Sequence, residues 1–78
     1  MTQAEHIYNA FGGVDKLKVA LEKAGRPYHL STLYRWNMPK PNGNGGRVPL
    51  NGYYAVLAAA RLTGVTLPPE AHHGFENA

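Results

Sequence analysis

The chain has 78 residues, 44% of them hydrophobic and 17% charged, with no cysteine and a formal net charge of +3. That size allows one small domain, with a core for three to five short helices. It excludes a disulfide framework and a Cys-based zinc site. The longest apolar run, Ala55 to Ala60, falls far short of the ~20 residues of a membrane span, and the first residues lack the basic-then-apolar order of a secretory signal.

Thr2-Gln3-Ala4-Glu5 predicts a capping box, with Thr2 as N-cap and Glu5 reaching back from the third helical position. Ile7, Tyr8 and Phe11 supply the apolar face of that first helix, and Gly12-Gly13 end it. A second helix is expected from Val14 to Lys23. Val14, Leu17, Ala20, Leu21 and Ala24 form its apolar stripe, with Lys16, Lys18, Glu22 and Lys23 off it. Gly25 closes this helix and Pro27 prevents its continuation.

The third helix is expected over His29 to Asn37. On a wheel at ~100° per residue, Leu30, Leu33, Tyr34 and Asn37 share one side, to be docked. Ser31, Thr32 and Arg35 fall opposite, with Tyr28 at the helix entrance in nearly the same direction. Trp36 lies at the boundary and is assigned to the core. Met38 to Pro49 holds three prolines and three glycines in twelve residues and reads as a loop, able to act as a flexible arm. A last long helix is expected from Leu50 to Thr63, packed through Tyr53, Val56, Leu57 and Ala60 and capped by Gly64. Domain boundaries follow: a folded unit over 1–67 and a flexible tail over 68–78.

Charge is not spread evenly. Between Val14 and Arg47 stand seven basic side chains against two carboxylates; outside that stretch one arginine faces three carboxylates. Two short helices joined by a Gly-containing turn, wrapped in positive charge, are the layout that carries a recognition helix into the DNA major groove. Tyr28, Ser31, Thr32 and Arg35 are the base-proximal candidates, since hydroxyls and a guanidinium suit base edges. Lys16, Lys18, Lys23, Arg26, His29, Lys40 and Arg47 are the phosphate candidates. The plainer alternatives are solvated lysines and, for the hydroxyls, local caps.

Other chemistries lack their residues. Ser31 is the one serine and has no base beside it in the pattern of a triad. The five carboxylates are scattered. His72-His73 are adjacent, with His6 and His29 distant, so no zinc-ligand spacing arises. Gly43-Asn44-Gly45-Gly46 lacks the lysine and hydroxyl of a phosphate-binding loop. No enzyme activity, metal, cofactor or small-molecule ligand is expected.

The order of elements resembles the Cro-type repressors of temperate phages and the YdaS-like regulators of prophages. The features carrying the likeness are the leading helix ending in Phe11-Gly12, the Val14–Ala24 segment, the helix closing in Tyr34-Arg35-Trp36, the Gly45-Gly46-Arg47-Val48-Pro49 loop, and the Ala-rich helix ending in Leu62-Thr63-Gly64. It spans Ile7 to Leu67. The turn over Glu22 to His29 is longer than the family's by about three residues, and His29 stands where a Ser or Thr commonly caps the helix. The resemblance implies an all-α, Cro/lambda-repressor-like helix-turn-helix domain of four to five short helices. It also implies a sequence-specific transcriptional repressor in the bacterial cytoplasm or nucleoid, and a homodimer on a palindromic duplex operator. The final helix and Val65–Leu67 are the candidates for the dimer contact. Two alternatives remain: a YdaS-like antitoxin or autoregulator, and a protein-interaction module on the same scaffold, presenting Tyr28, Tyr34, Tyr53 and Tyr54, without DNA binding.

Overall fold

The computed structural model describes residues 1–75. Four α-helices follow one another: α1 (Gln3–Phe11), α2 (Val14–Lys23), α3 (Leu30–Trp36) and α4 (Leu50–Thr63), with a single 3-10 turn over Pro69–His72. Among the described residues there is no strand and no helix long and apolar enough to cross a membrane.

The first helix starts where its cap demands. Thr2 Oγ1 accepts from the Glu5 amide at 3.1 Å, and the Glu5 carboxylate accepts from the Thr2 amide at 2.8 Å. That backbone bond holds the Glu5 carboxyl below its ordinary value, because it favours the ionised form. Gly12 and Gly13 take φ of 92° and 128°, a reversal that a Cβ would strain. α2 begins on the next residue.

α2 is the centre of the molecule, packed against α1, α3 and α4. Its Leu17 and Leu21 are fully buried with Ile7, Leu33 and Val56, and Trp36 is 2% exposed beside them. The Trp36 indole lies on Gly52 of α4, where a Cβ would stand 2.6 Å from Cζ2. Only a glycine leaves room on α4 for the indole to lie so close.

The Met38–Pro49 segment has no helix or strand, yet it is not a flexible arm. The last carbonyls of a helix need partners from outside it, and this loop supplies them. Asn44 donates to Arg35 O at 3.0 Å and Gly46 to Trp36 O at 2.8 Å, while Gly46 O accepts from the Ala4 amide at 3.0 Å. Gly46 runs against Thr2, where a Cβ would meet Thr2 Cβ at 2.5 Å. Val48 is buried. The loop is therefore a clamp between the end of α3 and the start of α1.

The expected flexible tail also differs over 68–75. Ala71 is fully buried. The buried Gln3 amide donates to Ala71 O at 3.1 Å and accepts from Val48 N at 2.9 Å. Tyr53 stacks on Phe75 at 4.4 Å, and its hydroxyl lies 2.6 Å from His72 Nδ1. One glutamine thus ties tail, loop and α1 together, and Tyr53 ties the tail to α4. The end of the expected tail, 76–78, lies outside the described residues.

Candidate nucleic-acid interface

α2 ends on its own chemistry. Gly25, at φ 72°, lets the Arg26 amide turn back to Leu21 O at 2.9 Å and the Gly25 amide to Glu22 O at 3.0 Å, a Schellman closure. Residues 24–29 then cross to α3. His29 is its N-cap and makes no side-chain cap bond, so α3 runs only from Leu30 to Trp36, one residue shorter at each end than expected.

Two turns of helix need fixing by their surroundings, and four contacts do it. Leu33 and Trp36 are the buried side chains. Tyr28 meets the Trp36 ring edge-on at 5.6 Å. The buried Tyr8 hydroxyl donates to Leu33 O, and burial pushes that phenol up to about 12. Thr2 Oγ1 donates to Asn37 Oδ1 at 2.6 Å.

With Leu33 and Trp36 inward, Ser31, Tyr34 and Arg35 form the outward arc, all exposed. Met38, just past the helix, is also exposed. This corrects the expected docked side. Tyr34 is 52% exposed and belongs to the outer face, at the rim of a groove shared with Val14 and Asn9. Leu30 and Asn37 are half-buried at the edges. An unweighted wheel counts each apolar residue alike and so turns the wrong side inward. The indole is the largest side chain on the helix, so burying it turns the buried face toward Trp36 and carries Tyr34 out. Size-weighting the wheel would have found it.

The base-proximal candidates accordingly divide. Ser31 and Arg35 lie on the outer arc, Thr32 is half-buried at its margin, and Tyr28 is half-buried against Trp36. The phosphate candidates divide as well. Arg26 and His29 are exposed in the connection leading into α3, and Lys40 is exposed in the loop that clamps its far end. Lys18 is held by Glu22 at 2.8 Å. Arg47 is exposed but extends toward the tail, its guanidinium against Gly74. Lys16 and Lys23 line a groove with Phe11, Thr63 and Val65, and none of that groove's residues comes from α3.

The α3 face can therefore donate and accept hydrogen bonds through one aliphatic hydroxyl and one phenol and donate through one guanidinium, with cations near both ends of the helix. Among the described residues, no group of three or more His, Cys, Asp or Glu is placed to hold a metal ion. No family model, no curated protein and no solved structure matches the chain.

Proposed function

We propose that this domain is a sequence-specific, duplex-DNA-binding transcriptional regulator of the Cro-like kind, with the outer face of α3 laid in the major groove. The observation that carries the reading is the locked orientation of α3. Leu33, Trp36, Tyr8 and Asn37 hold its back, while the side chains of Ser31, Tyr34 and Arg35 are left outward with no hydrogen-bond or ion-pair partner among the described residues. A helix fixed in this way loses little backbone freedom on binding. Arg35 has the fork that pairs with guanine O6 and N7, and Tyr34 adds an apolar ring beside a phenol. Arg26, His29 and Lys40 meet phosphates on either side of the helix.

Pairing of two copies accounts for a second feature. α4 leaves Leu50, Tyr54 and Leu62 about half exposed along its outer side, and Arg61 is its only charged residue. A domain 28–32 Å across its two longer axes matches half-sites one DNA turn apart, about 34 Å. This apolar side also favours the second reading, a protein-interaction module. The two are separated by titrating a mixed-sequence duplex at several salt concentrations while following backbone amide shifts. The DNA reading expects shifts centred on 26–40 and affinity falling steeply with salt. Shifts absent from α3 would reject it.

A further inference from the structure

The DNA reading leaves Lys16 and Lys23 without work. Lys16 and Lys23 are exposed on α2, facing the groove of about 350 Å³ that runs between α2 and the end of α4. Its apolar lining comes from Phe11, Val19, Ala20 and Val65, and Asp15 is its one carboxylate. Val19 is 47% exposed, an aliphatic side chain facing water in the middle of a basic flank. Lys16 and Lys23 are seven residues apart, two turns of one helix, hence about 10.5 Å along it, and Val19 lies between them. Among the described residues neither lysine is ion-paired, and of the lysines and arginines Lys18 is the one that holds a carboxylate.

A nucleic-acid backbone complements the ammoniums but has nothing apolar to place on Val19 and Val65. A helix with the same repeat complements both: two carboxylates one heptad apart reach the lysines, and a large apolar side chain midway fills the floor. We propose that this groove docks an acidic amphipathic helix of another protein. The lysine stems cover the flanks of the apolar anchor while their heads bind the carboxylates. Because no α3 residue lines the groove, the partner helix and the α3 face are engaged independently, and the inference stands whether or not α3 binds DNA.

The test is selection from a display library of short helical peptides against the intact protein, followed by amide-shift mapping of the winners. Winners are expected to carry Asp or Glu a heptad apart around a large apolar residue, with shifts confined to 15–23 and 63–65. Lys16→Glu/Lys23→Glu should weaken them by about tenfold. Val19→Glu, at an exposed position the core does not need, should weaken them comparably. No enrichment would overturn the proposal. So would winners lacking the acidic pair, shifts on the Leu50–Tyr54–Leu62 side instead, or lysine reversal that leaves peptide binding intact and weakens duplex binding.

Discussion

α3 and α4 differ in what they turn outward. α3 has two turns, buries Leu33 and Trp36, and exposes a hydroxyl, a phenol and a guanidinium. α4 has 14 residues, one charge, and apolar side chains both inward and outward. A polar, cationic face asks for a ligand rich in acceptors and negative charge. An apolar face asks for another protein surface, since water is a poor neighbour for leucine and the gain from covering it is hydrophobic. The short helix is the one whose position must be enforced from outside, by the Tyr8 phenol, the Thr2 hydroxyl, the Tyr28 ring and a loop. The long helix supplies the seat for that enforcement, through Gly52 beneath the Trp36 ring.

Changes at the seat should break this division most severely. Trp36→Ala removes the contact of α3 with both α4 and Tyr28 and should cost about 3–5 kcal/mol of stability, read by denaturant unfolding. Arg35→Ala should separate face from seat: unfolding unchanged, duplex binding weaker by roughly 1–3 kcal/mol. Tyr54→Ser with Leu62→Ser should separate pairing from folding. Self-association measured by sedimentation should weaken by about tenfold or more, as two half-exposed apolar side chains are lost from the contact, while a single copy stays folded. Thr2→Ala removes the cap of α1 and the bond to Asn37 and should cost about 1 kcal/mol.

The smallest effect is the pH dependence at Glu5. Its folded carboxyl is held below the ordinary 4.5, first by the Thr2 amide, so its contribution is present above that value. The contribution is lost as pH falls through the lowered folded value. Melting temperatures of the wild type and Glu5→Gln should therefore differ at neutral pH and converge in acid.

Helix signals were legible where they are local. The capping box at Thr2, both ends of α2 and both ends of α4 follow from caps, glycines and a 3.6-residue stripe, and the structure has them at the expected residues. Trp36 in the core follows from its place as the single tryptophan at the end of the third helix, and it is buried there. What was not legible depends on contacts remote in sequence. Nothing local announces that Gln3 reaches Val48 and Ala71, so the loop and 68–75 looked mobile when glycine and proline were in fact shaping a clamp. The face of a seven-residue helix is likewise set by its neighbours, so its own spacing does not show that Tyr34 faces outward. The basic residues formed one group by sequence. Folding divides them, because Lys16 and Lys23 lie on the flank of α2 that meets α4's end, while Arg26, His29, Arg35 and Lys40 follow α3.

The most direct test of the central claim is selection of bound sequences from a random duplex library, with the best binder then titrated against the wild type and Arg35→Ala. The α3 reading predicts an enriched two-fold sequence and a preference that relaxes at one position of each half-site when Arg35 is removed. No enrichment, or a preference untouched by Arg35→Ala, would contradict it.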